Sequence, residues 1–291
     1  MHIGIHGKKF DQKTAPFIQK VFDELDKRKA EIVISEEYQE QLSKNRITAR
    51  RYATYKEQDD LQYLDFMFTL GGDGTLLEAL THVGPTEVPI LGINTGRLGF
   101  LATTSKQEIE QAIQCLFSSD YSYDERTLLR LESDEKLFDG LNFALNDFTI
   151  LKKDTTSMIV VHAYIDGEFL NSYWADGIIV STPTGSTGYN ISCGGPLVLP
   201  QSNNFIITPV SPHNLTVRPI VVPDNCELSF TVEGRSGNFL ISLDSRFETI
   251  DDSVRLKVVK EKFKAKLVKL RDNNYFETLR QKLNWGLDVR N

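Results

Sequence analysis

Phe68-Thr69-Leu70-Gly71-Gly72-Asp73-Gly74-Thr75-Leu76-Leu77-Glu78-Ala79-Leu80 is a short apolar run that breaks into glycines around one aspartate and then resumes with helical spacing. Asp65, Met67 and Thr69 alternate with Phe66, Phe68 and Leu70, the two-residue period of a strand, whereas Leu76, Leu77 and Leu80 share one helical face. The stretch reads as strand, tight loop, helix. Gly71, Gly72 and Gly74 allow backbone conformations closed to residues with a Cβ and let a ligand come close. Their amides, together with the free N–H groups of a helix start, suit an anionic phosphate. Asp73 would repel that phosphate unless a metal ion bridges the two, or unless the carboxylate accepts a proton from a hydroxyl nucleophile. In a plain βα turn Asp73 would instead be the helix N-cap.

Outward from this stretch the chain keeps an alternating rhythm. Residues 2–6 read as a strand, and Ala15, Phe17, Ile18, Val21, Phe22 and Leu25 form the apolar face of a helix. A strand over 31–34, a more polar helix over 36–53, the strand 64–70, a helix over 75–83 and a strand over 88–93 follow. This βα alternation predicts an open, mostly parallel sheet with helices on both faces, which binds ligands at the carboxyl ends of its strands. The last strand runs into Asn94-Thr95-Gly96-Arg97-Leu98-Gly99-Phe100-Leu101, a second glycine-bearing loop in the equivalent place, with Arg97 a candidate phosphate partner. A helix over 105–117 closes this α/β domain.

From about residue 125 the period changes to two. Segments at 127–131, 141–151, 158–165, 168–174, 204–210, 216–222, 226–232 and 238–243 predict an antiparallel, sandwich-like all-β domain. Within it Asn146-Asp147 interrupts Ala144 to Ile150, and a buried polar pair needs partners. Without a ligand, the pair reads as a bulge or strand-end turn. Residues 255–271 carry eight basic side chains and a single acid, Glu261, the pattern of a solvated edge strand protected against aggregation. Tyr275 to Trp285 is helical in pattern. The expected domains are 1–124 (α/β), 125–264 (β-rich) and a tail, 265–291, that returns to the first.

Bulk properties narrow the function. The 291 residues are 40% hydrophobic and 25% charged, with a net charge of −7, which excludes a general nucleic-acid binder. Cys115, Cys193 and Cys226 form no Cys-x-x-Cys pair and read as reduced thiols of a cytoplasmic protein. No apolar run has membrane-spanning length, so no membrane partner is expected.

The second informative stretch is Ala175-Asp176-Gly177-Ile178-Ile179-Val180-Ser181-Thr182-Pro183-Thr184-Gly185-Ser186-Thr187-Gly188-Tyr189-Asn190-Ile191-Ser192-Cys193-Gly194-Gly195-Pro196. A strand ends in small hydroxyl residues and glycines, which admit a ligand closely and bind ribose and phosphate oxygens without adding charge.

With this stretch the sequence resembles the NAD kinases over nearly its whole length. The motifs that carry the likeness are Gly71-Gly72-Asp73-Gly74-Thr75, Gly92-Ile93-Asn94 through Leu101, Asn146-Asp147, Asp176-Gly177 through Pro196, and Pro212-His213-Asn214-Leu215 with Arg218-Pro219. Diacylglycerol and sphingosine kinases share the first motif. The resemblance implies transfer of the terminal phosphoryl group of ATP, with a divalent metal such as magnesium, to the 2′-hydroxyl of the adenosine ribose of NAD. It also implies a homo-oligomer, a dimer or a tetramer. Asp73 matches the family's proton acceptor. Asp73, Gly74, Phe100, Asn146, Asp147, Trp174, Asp176, Thr187, Gly188, Tyr189, Asn190, Ile191 and Ser192 match positions that contact NAD. Gly71, Gly72, Thr75, Arg97 and Arg246 are candidates for phosphate or ATP contacts, and no side chain is expected to form a dedicated metal cage. Gly188 stands where the family usually has alanine, and Trp174 fills a site linked to the choice between NAD and NADH, with NAD expected here. Ser157 matches a further NAD-contacting position. Two rivals remain open: a diacylglycerol-type lipid kinase and a non-catalytic dinucleotide-sensing module. The kinase reading expects residues 71–75 and 184–192 to share one cavity.

Overall fold

The computed structural model describes residues 1–47, 52–56, 59–96, 98–154, 157–270 and 274–285. The chain divides into two compact units, Met1–Glu125 with Ala265–Asn291, and Arg126–Lys264.

The first unit runs β1 (His2–Gly7), α1 (Ala15–Lys27), β2 (Glu31–Ser35), α2 (Glu36–Lys44), β3 (Ala53–Tyr55), β4 (Phe66–Gly71), α3 (Asp73–Val83), β5 (Ile90–Asn94), β6 (Thr104–Ser105) and α4 (Ile109–Phe117). Its strands pair in parallel in the order β3-β2-β1-β4-β5, with β6 beside β5. Parallel strands covered on both faces need near-continuous apolar runs, and β1 and β4 supply them. Ile18, Val21, Phe22 and Leu25 of α1 and Ile109, Ile113 and Leu116 of α4 pack with Ile3, Ile5, Ile32 and Ile34 on one face. Strand alternation then turns Gly4 and His6 to the other face, where α3 lies against β1, β4 and β5.

Two boundaries differ from expectation. The helix expected over 36–53 stops at Lys44, because Arg46 takes a left-handed φ of 56° that an α-helix cannot accommodate. Its last expected residue, Ala53, instead opens the strand Ala53–Tyr55, which pairs with β2, while residues 48–51 lie outside the described residues. The helix expected over 105–117 begins at Ile109: Thr104–Ser105 pairs with β5, and the Ser105 amide donates to Glu108 Oε2 at 2.8 Å in the turn that follows.

The second unit begins within β7 (Tyr121–Ser133) and continues through β8 (Phe143–Ala144), β9 (Asp147–Lys152), β10 (Ile159–Ile165), β11 (Glu168–Ala175), β12 (Gly177–Ser181), α5 (Tyr189–Ser192), β13 (Asn204–Val210), β14 (Ile220–Pro223), β15 (Leu228–Glu233), β16 (Asn238–Leu243), β17 (Arg246–Asp251) and the first part of β18 (Leu256–Leu270). One antiparallel sheet has the order β14-β13-β12-β9-β16-β17. Opposite it β11, β10, β15 and β18 pair in that order, with β7 beside β18 and β8 beside β7. Phe148, Ile150, Phe205 and Phe239 of the first sheet meet Val161, Phe230 and Val258 of the second in a continuous core.

The lysine-rich segment is no edge strand. Leu256 to Val258 pair with β15, and Leu267, in the part that belongs to the first unit, pairs with Ile90 of β5. Its lysines do face outward: Lys257 pairs with Glu227, Lys260 with Asp224 and Lys266 with Glu87, while Leu256, Val258, Ala265 and Leu267 are buried. Lysine at every second or third position marks one wet face, and cannot by itself say whether the strand has neighbours on both sides. After it comes α6 (Tyr275–Leu283), capped by the Asn274 side chain, which accepts from the Phe276 amide at 3.0 Å.

Candidate active site

In the first unit the glycine loop ends β4 at the carboxyl edge of the sheet. Gly72, not Asp73, is the N-cap of α3: its carbonyl accepts from the Thr75 and Leu76 amides at 3.0 and 3.2 Å. Asp73 is the first helical residue, and its carboxylate is turned to the other glycine loop. Oδ2 accepts from the Phe100 amide at 2.8 Å, and Oδ1 from the Leu101 and Ala102 amides at 3.1 and 2.9 Å. Gly99 must be glycine, because a Cβ there would fall on the Asp73 carboxylate. Asn94 braces the same loop, its Oδ1 accepting from the Gly96 amide at 2.8 Å. Gly72 and Gly74 are exposed with open space where a Cβ would stand, so the helix start is accessible to a ligand. Thr75 points away from that opening, buried against Gly71, with its amide on the Gly72 carbonyl. Arg97 lies outside the described residues.

In the second unit β8 and β9 are separated by Leu145-Asn146, so the polar pair sits at a break in the strand. What holds the break is Asp244, in the turn between β16 and β17. It is half-buried, and its carboxylate accepts from the Leu145, Asn146 and Asp147 amides at 3.0, 2.7 and 3.3 Å. Asp244 adopts φ 53°, a conformation aspartate tolerates. Burial, reinforced by the neighbouring Asp244 charge, pushes the Asp147 carboxyl up to about 7. Asp147 is therefore a mixture of carboxylic acid and carboxylate at neutral pH, able to donate as well as accept.

The hydroxyl-rich loop folds over this pair. The Thr182 amide donates to the Asn146 carbonyl at 2.9 Å, and a Cβ on Gly185 would strike that carbonyl. Gly188 lies beside Asp147 Oδ2, where a Cβ would be in ordinary contact at 3.7 Å. Tyr189 is exposed; burial and the nearby Cys193, Asp147 and Asp176 raise its hydroxyl. Thr187, Gly188, Tyr189, Ile191 and Ser192 keep accessible surface, whereas Asn190 is fully buried. Its Nδ2 donates to the Ser186 and Pro196 carbonyls at 3.1 and 3.0 Å, and its Oδ1 accepts from Thr208 at 2.6 Å. The side chain of Asn190 is thus the knot of the loop. Asp176 forms an ion pair with Lys152 at 2.6 Å. Trp174 is exposed and, with Ser157, lines a groove of about 960 Å³ bordered by Met158, Arg235 and Arg255.

Arg246, expected near phosphate, donates to the Leu141 and Phe143 carbonyls and lies over the Phe138 and Phe143 rings. Its guanidinium is committed to the segment leading into Asn146. Sequence reasoning missed Asp244, because an acid between two apolar strands reads as an ordinary turn residue.

Family models place the chain among known proteins. That of the ATP-NAD kinase N-terminal domain matches residues 3–121, and that of the ATP-NAD kinase C-terminal domain matches residues 145–270. An NAD kinase of Cytophaga hutchinsonii is 54% identical over 292 residues, with 100% of each chain covered. One of Flavobacterium psychrophilum is 44% identical, also with 100% of each covered. Yeast NADH kinase complexed with NADH superposes with a TM-score of 0.90 at 24% identity, covering 100% of this chain and 89% of that one. An NAD kinase from Archaeoglobus fulgidus in complex with ATP gives 0.75 at 24% identity, covering 98% and 99%. At that identity the two structures speak to the fold.

Proposed function

The chain belongs to the NAD kinase family, and on that premise we propose that Asp73 is the proton acceptor in transfer of the terminal phosphoryl group of ATP to the 2′-hydroxyl of the adenosine ribose of NAD. The observation that carries this is the way Asp73 is held. A carboxylate offers about four lone-pair sites, and three are filled by the Phe100, Leu101 and Ala102 amides. The remaining site is on Oδ2, on a residue flanked in the chain by the exposed Gly72 and Gly74. In the step proposed, the 2′-oxygen attacks the terminal phosphorus as its proton passes to Asp73 Oδ2, the bond to the bridging oxygen breaks, and ADP leaves. The protein's share is positioning and charge placement, which is most of what phosphoryl transfer asks.

The Gly71 to Gly74 backbone is the proposed phosphate cradle, and Asn146, Asp147, Gly188 and Tyr189 with Asp176 the proposed NAD contacts. Among the described residues no three His, Cys, Asp or Glu side chains converge as a metal cage. The metal proposed is magnesium, which commonly keeps several waters and is held largely by the substrate phosphates, so that the one free lone pair of Asp73 stays with the proton. When bound it would neutralise phosphate charge. A cytoplasmic homo-oligomer, a dimer or a tetramer, completes the proposal, on the strength of the family resemblance; among the described residues no helix is long and apolar enough to cross a membrane.

The test is incubation with labelled ATP, magnesium and either NAD or a diacylglycerol, with light scattering after gel filtration for the oligomer. Labelled NADP is expected. Labelled phosphatidate, or no product, would overturn the reading.

A further inference from the structure

Asp176 stands where the chain leaves β11 for β12 and so crosses from one sheet of the sandwich to the other. Its backbone is fixed without help from its side chain. The amide donates to the Val210 carbonyl and the carbonyl accepts from the Lys152 amide, both at 2.9 Å. Gly177, next to it, is equally confined, since a Cβ there would strike the Ile150 carbonyl. Even so the carboxylate is held as well, with Lys152 Nζ 2.6 Å from Oδ1.

That ion pair does little for stability. Its two side chains are 24% and 35% exposed, and pairs that reach solvent contribute about 0–1 kcal/mol. What it supplies is aim. With the ammonium on Oδ1 the carboxyl group cannot turn freely, and Oδ2 has no protein partner among the described residues. An ionised carboxylate only accepts, so Oδ2 would take a donor, such as a ribose hydroxyl or the carboxamide of nicotinamide. Charge matters as much as direction. A bare carboxylate repels an anionic pyrophosphate, and a lysine beside it cancels most of that field.

Position supports the same role. Lys152 closes β9, the strand that Asp147 opens, about 17 Å away at about 3.4 Å per residue. Burial, and then the nearby Cys193, Asp147 and Asp176, raise the Tyr189 hydroxyl, which therefore stands within electrostatic reach of both carboxylates. The proposed NAD contacts thus run the length of one strand, as an extended ligand requires, with Lys152 at the far end from Asn146 and Asp147. Lys153 does not take its place, because its Nζ donates to the Thr249 hydroxyl at 3.3 Å.

We propose that Lys152 is a positioning residue for NAD: it holds the Asp176 carboxylate by Oδ1, presents Oδ2 to a donor group of the dinucleotide, and offsets the charge that would otherwise repel the pyrophosphate. It acts through Asp176 and touches no reacting atom. The inference rests on the kinase reading above, with Asp176 as an NAD contact.

Steady-state kinetics of the full chain over a range of sodium chloride concentrations tests it, using Lys152→Met, Lys152→Arg, Asp176→Asn and the combined Lys152→Met and Asp176→Asn variant. Methionine keeps the apolar stem and loses the charge. In Lys152→Met the KM for NAD rises roughly tenfold at low salt and less at high salt, where the unmasked carboxylate is screened, while kcat and the KM for ATP stay within about twofold. Lys152→Arg restores the KM for NAD to within about threefold, since a guanidinium also pairs with a carboxylate. In the Asp176→Asn background no charge is left to hold, and Lys152→Met adds less than about twofold. An unchanged KM in Lys152→Met, a fall in kcat at constant KM, no recovery with arginine, or equal effects in the two backgrounds overturns the proposal. Failure of its premise looks different. If the unaltered protein makes no NADP, the kinase reading falls and this proposal with it; if it makes NADP but Asp176→Asn leaves the KM for NAD unchanged, Asp176 is no NAD contact and the role of Lys152 falls alone.

Discussion

Asp73 holds two loops together while keeping one lone pair free, so replacing it tests two roles at once. In Asp73→Asn an amino group replaces one acceptor oxygen and meets a backbone N–H, while the base is lost. Turnover is expected to fall by roughly two to four decades with the dissociation constant for NAD little changed, read by steady-state kinetics and titration. Unchanged turnover would reduce Asp73 to a brace for residues 100–102. Asp147 gives a second prediction. Its folded carboxyl is raised to about 7 from an ordinary 3.8, so its neutral form stabilises the fold fully below pH 4, and that contribution is lost as pH rises through 7. The urea midpoint should therefore decline from pH 5 to pH 8, and Asp147→Asn should flatten the decline; a steeper decline would reverse the assignment. At this scale the sequence was informative wherever a residue type was odd for its place. An acid among phosphate-loop glycines and a polar pair inside a strand both stood out, and both lie at candidate sites. The structural part of Asn190 was not legible, because a buried amide that closes a loop looks, in one dimension, like one that faces a ligand.

Among the elements, the β16–β17 hairpin matters beyond its size. Through Asp244 it satisfies three amides at the break between β8 and β9, and through Arg246 it holds two carbonyls just upstream. Asp244→Ala leaves those amides buried and unpaired, at about 1–3 kcal/mol for each that water does not reach. We expect a lower urea midpoint and a KM for NAD raised by roughly tenfold, with a smaller change in kcat. A kcat loss at constant KM would show that the hairpin does not act by positioning Asn146 and Asp147. Periodicity showed the longer strands of both units, because buried strands and helical faces have repeating patterns. It failed at β3, at β17 and in the pairing of β18. Three residues are too few for a period, β17 alternates weakly with Phe247 exposed, and lysine spacing records one face without its lateral neighbours.

For the whole molecule, the first unit is built from both ends of the chain, Met1–Glu125 and Ala265–Asn291. Leu267 pairs with Ile90, and Val268 joins the core of α1 and α4. A chain ending at Lys264 should therefore lose hydrogen-exchange protection in β4 and β5 while β12 and β13, central in their own sheet, keep theirs. Loss spread evenly over both units would contradict this division.

That discontinuity bears on how the protein is born. Translation runs from the amino end, and domains usually fold as they emerge. Here the sandwich has all its strands out of the ribosome while the nucleotide-handling sheet still awaits its final partner. A polypeptide released early would leave Ile90 without Leu267, so a message read short yields a protein poor at kinase chemistry and visible to proteases.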